Sequence, residues 1–205
     1  ESITVSNASP RSGRARASWT RKRAAGSPRA VAFARARPIA EAARSMPQVS
    51  KPRAARKSAF SPEPLGLEAL SQLLFAAQGV TSADGRLRAA PSAGALYPLE
   101  VYVATSDGIF RYVPRGHRLE RLLSGDLRPR LSEAALGQRP VAEAPVSLVF
   151  AAVVETTARK YGSRAERYAT LEAGHAAENA MLEATALGLV CVPIGAFDDD
   201  EVGRA

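Results

Sequence analysis

Three segments of the chain carry apolar residues at helical spacing, and each is followed by a glycine that suits a helix C-terminus. They span residues 67–78, 126–136 and 164–187. In the third, Leu171, Leu182 and several alanines are expected to face the core. In the first, the apolar face consists of Leu67, Leu70, Leu74 and Ala77.

Other segments follow the pattern of strands. Residues 99–105 alternate between apolar and polar, and a Ser-Asp-Gly turn connects them to residues 109–113, the predicted hairpin partner. Residues 145–154 and 190–194 are apolar and β-branched, which is typical of strands buried on both faces. Helices and strands in this mixture predict an α+β or mixed α/β class, with a central sheet covered by helices.

The positive charge of the chain is concentrated at one end. The net charge is +8, yet residues 1–60 hold 14 Lys and Arg against 2 Asp and Glu, so the remainder is acidic. Residues 1–50 are rich in Arg, Ala, Ser and Pro without an apolar period, and we predict a mostly disordered basic tail. Residues 51–205 form the predicted folded domain.

Three interpretations of the tail stay open: a non-specific contact with nucleic acid or another polyanion, a transit-like leader, or an inert segment. We expect no other nucleic-acid binding.

Composition narrows the functional classes. No apolar run reaches the roughly 18 residues that a membrane-spanning helix requires. One cysteine excludes an internal disulfide and fits a reducing, cytoplasmic compartment, and two histidines with one cysteine are too few for a self-contained His/Cys metal site. Neither a Walker-type loop nor a Gly-x-Gly-x-x-Gly run is present.

Two glycine-bearing runs are candidates for ligand contact. Pro91, Ser92, Ala93 and Gly94 precede a predicted strand, and glycine there permits close approach of a ligand to the backbone. A second run follows a predicted strand, where ligands gather in sheet-based folds, and its N–H groups could point at a planar ring. Taken alone, each run is better explained as a rigid turn. The second run consists of Pro193, Ile194, Gly195 and Ala196.

Two further clusters carry charge. Lys160 and Tyr161 follow a predicted strand in a presumed loop, and an ammonium beside a phenol favours the phenolate, a plausible general base. Arg56, Lys57 and Ser58 combine forked donors with a hydroxyl, which suits a phosphate. A surface Lys-Tyr pair and the end of the basic tail are the alternative interpretations.

These runs, in this order, resemble the SagB-type dehydrogenase branch of the FMN-dependent nitroreductase family, over about residues 58–202. The resemblance implies an α+β fold with a mostly antiparallel sheet, and a homodimer with two FMN sites at its interface. It implies that Arg56, Lys57 and Ser58 contact the FMN phosphate. The first glycine run would reach the flavin from the partner subunit, and Gly195 and Ala196 would pack on its ring near N5.

The resemblance also implies a reaction. Well-understood members oxidise azoline rings in ribosomal peptides to azoles, with a Lys-Tyr pair as base, so Tyr161 would take a ring proton while flavin N5 accepts a hydride. A peptide substrate and a cyclodehydratase partner follow from this. Relative to the family, the chain lacks a second Arg near Ser58 and ends before a final helix and strand, so we expect the domain to be incomplete at its C-terminus.

Two alternative functions stay open beside this one. The first is a general flavin reductase of quinones or nitroaromatics that uses a nicotinamide donor. The second is a non-catalytic flavin-binding remnant, or a protein that binds polyanions through its tail.

Overall fold

The computed structural model describes residues 2–4, 18–20, 30–32, 60–61 and 63–205, and the first three segments are described by their backbone alone. Within these residues the strands are β1 (Ser2–Thr4), β2 (Ser18–Thr20), β3 (Ala30–Ala32), β4 (Leu99–Thr105), β5 (Gly108–Val113), β6 (Arg118–Ser124) and β7 (Ser147–Ala152). The helices are α1 (Leu67–Gln78), α2 (Arg128–Ala134), α3 (Arg139–Glu143), α4 (Val154–Tyr161), α5 (Ala165–Ala186) and α6 (Asp199–Arg204).

The strands form one sheet in the order β2-β1-β6-β5-β4-β7-β3, and every pairing is antiparallel. The predicted hairpin is confirmed: Val101 of β4 lies opposite Tyr112 of β5, and Thr105 lies opposite Gly108. On its other side β4 pairs with β7, with Leu99 opposite Ala152. The structure confirms the predicted α+β class and antiparallel sheet.

The main core lies between one face of the sheet and the helices α1 and α5. Alternate residues of β4 point into it, because successive side chains of a strand face opposite sides. The predicted apolar face of α1 is confirmed, and small side chains on α5 allow that helix to approach closely. The buried members of this core are Leu70, Leu74, Ala77, Leu99, Val101, Val103, Phe110, Tyr112, Leu119, Phe150, Ala173, Ala176, Ala177 and Ala180.

A second, smaller core covers part of the opposite face. Leu131 of α2 and Val141 of α3 pack there against Ala104 and Val149, and α6 adds Val202 at the edge. A cavity of about 440 Å³ opens beside this core, between β7, α2 and α3 and the chain that follows α5. It is lined mainly by apolar side chains.

Several predictions need correction. The predicted strand over residues 190–194 has no regular secondary structure, and Val190 is 61% exposed. No described strand lies beside this segment to complete its backbone hydrogen bonds, so its apolar side chains line the cavity instead. Leu171 is 51% exposed on α5, where the alanines and not the leucine form the packed face. Strand β6 was not predicted.

The start of the chain is described only in part. Strands β1, β2 and β3 lie within the segment predicted to be a disordered tail, and they pair at the two sides of the sheet. The disorder of the tail as a whole stays a prediction. Elsewhere the tail lies outside the described residues. In the described part, no helix has the length and apolarity needed to cross a membrane.

Candidate functional site

The turn formed by residues 91–98 leads into β4 and carries unusual backbone angles. Its centre is the 3₁₀ turn Ala93–Ala95, and φ is positive at Gly94 (64°), Ala95 (54°) and Tyr97 (51°). For a residue other than glycine, this left-handed conformation costs about 1–2 kcal/mol. Two such residues in one short turn require neighbouring contacts that hold them there.

Hydrogen bonds inside the turn supply part of that support. The N–H of Ala95 donates to the carbonyl of Ser92 at 3.0 Å, and the N–H of Tyr97 donates to Ser92 Oγ at 2.8 Å. Among the described residues, the hydrogen bonds of the turn do not use the N–H groups of Ala93 and Gly94. Gly94 is exposed, so a ligand can reach the backbone of the turn.

Lys160 and Tyr161 lie in the last turn of α4, which corrects the predicted loop. They still follow a strand end, because α4 begins directly after β7. The N–H of Val153 donates to the carbonyl of Pro98 at 2.9 Å, which ties the start of α4 to the end of the turn. Sheet register therefore places the turn and the Lys-Tyr pair side by side.

Gly94 lies directly against this pair. A Cβ atom built on Gly94 would lie 2.8 Å from Lys160 Nζ and 2.8 Å from Tyr161 Oη, closer than real Cβ contacts. The structure thus brings together two predicted groups that are 66 positions apart in the sequence. Glycine at position 94 is what allows the phenol and the ammonium to reach the backbone of the turn.

The phenol of Tyr161 has two close neighbours. Lys160 Nζ lies 5.3 Å from the centroid of its ring, and the ring of Tyr168 meets it edge-on at 5.0 Å between centroids. The Lys160 ammonium therefore lies beside the phenol, and the Tyr168 ring restricts the orientation of the Tyr161 side chain. The arrangement presents a phenol hydroxyl and an ammonium at the backbone of the turn.

A buried polar network that sequence reasoning missed lies beneath the turn. Gln78, the last residue of α1, is fully buried, and Glu172 of α5 is 2% exposed. Gln78 Nε2 donates to Glu172 Oε1 at 3.4 Å, and Arg88 Nη1 donates to Gln78 Oε1 at 3.0 Å. A signal was present in the sequence: Glu172 has the helical spacing of the buried alanines of α5.

Gly79 directs the chain from α1 toward Arg88. It ends α1 in an extended conformation, with φ −60° and ψ 147°, so it is not the left-handed residue typical of the C′ position. A Cβ there would lie 2.4 Å from the Phe75 ring, so lack of space explains this glycine. Val80 then forms an isolated bridge with Arg88.

The network changes the protonation of its members. Burial raises the pKa of Glu172, while hydrogen bonds from Ser92 and Gln78 and the charge of Arg88 act in the opposite direction. Burial likewise lowers the pKa of Arg88, opposed first by the charge of Glu172. The two charged groups therefore compensate each other's loss of solvation.

A second polar cluster fastens α1 to the sheet. The ring of His117 is hydrogen-bonded to Ser71 Oγ at 2.7 Å and to Tyr112 Oη at 2.6 Å, and burial lowers its pKa. Phe75 meets the same ring edge-on. Every one of these contacts lies on the core side of α1, so the cluster is structural.

The second glycine run lies elsewhere in the same chain. Ile194 and Phe197 pack on the smaller core, and the Ala196 carbonyl accepts a hydrogen bond from Gln138 Nε2 at 2.7 Å. Gly195 is exposed, with open space where a Cβ would stand. No described contact joins this run to Gly94.

The position of the cavity explains the separation. It is lined by residues 146–149 at the start of β7, whereas the turn and α4 lie at the other end of that strand. Within one chain, residues 91–94 therefore lie beside Lys160 and Tyr161, whereas residues 193–196 lie apart from them.

Arg56, Lys57 and Ser58 lie outside the described residues, so the phosphate contact stays a prediction. The described residues contain no group of three or more potential metal ligands.

Comparisons with known proteins place this chain in a family. The family model described as "Nitroreductase family" matches residues 51–205. The protein named "Putative nitroreductase MJ1384", from Methanocaldococcus jannaschii, is 45% identical over 149 residues, which cover 70% of this chain and 75% of that protein.

Solved structures give the same result. The crystal structure of a putative nitroreductase from Ralstonia eutropha has a TM-score of 0.56 at 32% sequence identity. The match covers 82% of this chain and 80% of that chain. One from Anabaena variabilis has a TM-score of 0.53 at 35% identity, and covers 57% of this chain but only 26% of its own. The E. coli microcin synthetase McbBCD complex with truncated pro-MccB17 bound has a TM-score of 0.61 at 21% identity, covering 84% and 76%, which is a likeness of fold alone.

Proposed function

We propose that this protein, which belongs to the nitroreductase family of oxidoreductases, binds FMN and acts as a SagB-type dehydrogenase. Members of the family generally use FMN, and they are often dimers. The finer assignment is supported by one observation above all: the backbone of Gly94 lies against Lys160 Nζ and Tyr161 Oη. A ring held against that backbone would meet a phenol and an ammonium together.

The residues of the turn fit such a cofactor. Gly94 is exposed and has no side chain, so a planar ring can approach its peptide. The N–H groups of Ala93 and Gly94 can donate to electronegative ring atoms, and the Lys160 ammonium supplies positive charge beside them. FMN, when bound, supplies the two-electron oxidation of the substrate.

A homodimer would complete the site. Because one chain keeps residues 91–94 apart from residues 193–196, we propose that the two runs meet across a two-fold interface, one from each subunit. Each subunit would then bring its own Lys160 and Tyr161 with its own Gly94. Arg56, Lys57 and Ser58 are proposed to hold the phosphate.

The proposed substrate is an azoline ring in a ribosomal peptide, formed by a cyclodehydratase partner. Tyr161 Oη would remove a proton from a ring carbon, and Lys160 would stabilise the phenolate that performs this step. A ring held on the exposed backbone of the turn would lie beside the phenol and the ammonium that contact Gly94. This substrate class is supported by the resemblance of the Lys-Tyr pair, since the likeness to the microcin synthetase concerns fold alone.

The alternative is a reductase of quinones or nitroaromatics with a nicotinamide donor. The names of the relatives from M. jannaschii and R. eutropha favour it. It uses the same cofactor site but needs no base, so Tyr161 distinguishes the two functions.

The experiment compares Tyr161→Phe with wild type and with the control Tyr102→Phe. Tyr102 donates to Glu100 on another part of the sheet, so its variant removes a phenol hydroxyl away from the site. Each protein is titrated with FMN, and then assayed with an azoline-containing peptide and with a nitroaromatic plus NADPH. We expect Tyr161→Phe to keep its FMN affinity and to lose azoline oxidation about 100-fold or more.

Two results would contradict the proposal. A wild-type protein that takes up no FMN excludes both flavin functions. FMN-loaded wild type that reduces the nitroaromatic but leaves the azoline unchanged, with Tyr161→Phe equally active, establishes the reductase instead.

A further inference from the structure

Glu172 is a buried carboxylate that the proposed reaction does not use. It lies in the middle of α5, 2% exposed, among alanines that pack on α1 and the sheet. A carboxylate in such a place is strongly destabilising unless charges and hydrogen bonds compensate it. Its partners therefore indicate what it does.

Those partners support the turn. Gln78 Nε2 donates to the carboxylate at 3.4 Å, and the charge of Arg88 acts on it favourably. The carboxylate thus has a donor from the end of α1 and a compensating charge from the segment that leads into the turn.

The hydrogen-bond roles are mutually consistent. Gln78 donates through its amide nitrogen to Glu172 and accepts from Arg88 through its amide oxygen. The Gln78 amide therefore joins the buried carboxylate to the guanidinium.

The connection continues from Arg88 to the far end of the turn. The Arg88 guanidinium lies 4.6 Å from the centroid of the Tyr97 ring, and the Arg88 backbone N–H donates to Tyr97 Oη at 3.1 Å. Tyr97 is therefore connected to the buried carboxylate, and its own N–H donates to Ser92 Oγ at the other end of the strained segment. Strain of this kind persists only where the surroundings fix it.

We infer that Glu172 is a positioning residue that holds the Ser92–Tyr97 turn in its strained conformation, with Gly94 against Lys160 and Tyr161. It acts through Gln78, Arg88 and Tyr97. Its effect on the turn depends on no assumption about function, whereas its effect on FMN rests on the proposed function.

The test uses hydrogen exchange followed by mass spectrometry on the full chain. Glu172→Gln removes the negative charge at nearly equal size, and Glu178→Gln, an exposed site on the same helix, is the matched control. We expect the Ala95 and Tyr97 amides, which are hydrogen-bonded within the turn, to exchange about 10-fold faster in Glu172→Gln, since a hydrogen bond to a charged group is worth about that factor or more. The exchange rates of amides in α1 and α5 should be unchanged.

Coupling to Arg88 adds a second readout. Arg88→Lys alone and combined with Glu172→Gln should raise the dissociation constant of FMN to about the same extent, about 10-fold, because both interrupt the connection that runs through Gln78. Additive losses in the double variant, or exchange in the turn equal to wild type, would overturn the inference. Faster exchange throughout α1 and α5 would show a general structural role and overturn it too.

Two provisions keep the test decisive if a variant does not fold or if the wild type binds no FMN. If Glu172→Gln does not fold, Arg88→Lys carries the test, because it keeps the charge but loses the planar group that bonds Gln78 and stacks on Tyr97. If wild type binds no FMN, the proposed function fails, while the exchange result still decides the role of Glu172 in the turn.

Discussion

The two glycine runs are held in place in different ways. On the turn side, residues 91–98 with Lys160 and Tyr161, the backbone is strained and directional hydrogen bonds lead to a buried carboxylate. On the groove side, residues 189–197 with α2 and α3, apolar side chains line a cavity of about 440 Å³. There, Gln138 and the Asp198 N–H make the main polar contacts.

The difference indicates a division of tasks. Hydrogen bonds depend steeply on distance and angle, so they can position reacting atoms closely. Apolar packing depends on volume and tolerates rearrangement, so it can adapt to what covers it. We therefore expect substitutions on the turn side to have larger effects than matched substitutions on the groove side.

The largest contrast is expected between the two glycines. Gly94→Ala places a methyl group 2.8 Å from Lys160 Nζ and Tyr161 Oη at a φ of 64°, and should lower the free energy of unfolding by about 2–3 kcal/mol. Gly195→Ala enters open space and should change it by no more than about 0.5 kcal/mol. Urea unfolding of both variants measures this, and equal effects would remove the contrast.

Two arginines give the next contrast. Arg88→Met removes the donor to Gln78 Oε1 and the positive charge that compensates Glu172, and should destabilise the protein by about 2 kcal/mol. Arg139→Met on α3 removes an exposed pair with Glu143, worth about 0.5 kcal/mol or less. Thermal unfolding in low and high salt separates them, because salt should weaken only the exposed pair.

The smallest effect concerns pH and the cluster that fastens α1. Because burial lowers the pKa of His117 below its ordinary 6.5, the unfolded chain binds more protons than the folded one between these two values. The stability contributed by the neutral ring is complete above pH 6.5 and is lost as the pH falls, by at most about 1.4 kcal/mol per unit.

Unfolding free energies measured between pH 7.5 and 5.5 check this prediction. His117→Asn should flatten the slope, whereas substitution of the exposed His175 should leave it unchanged. A slope that survives in His117→Asn would assign the pH dependence to other groups.

Periodic segments were predictable from the sequence. Helix α1 and the hairpin β4–β5 were placed correctly because their apolar spacing and turn residues point to one structure at both local and global levels. Residues 190–194 were not, since a short β-branched run suits a buried strand and a cavity lining equally. Periodicity alone also did not separate the alanine face of α5 from Leu171.

The chemical groups of the candidate site were likewise predictable from the sequence, whereas their arrangement was not. The sequence suggested that a glycine turn and a Lys-Tyr pair carry the chemistry, because residue type limits which groups can act as base or admit a ring.

The sequence by itself determined the helices, the hairpin, and the identity of these chemical groups, all of which depend on local spacing and side-chain type. Only the tertiary structure decided that Gly94 touches Lys160 and Tyr161, that Glu172 supports the turn, and that residues 193–196 lie apart in one chain. The physical reason is that sheet register and helix packing set distances between residues far apart in sequence, and no local pattern encodes them.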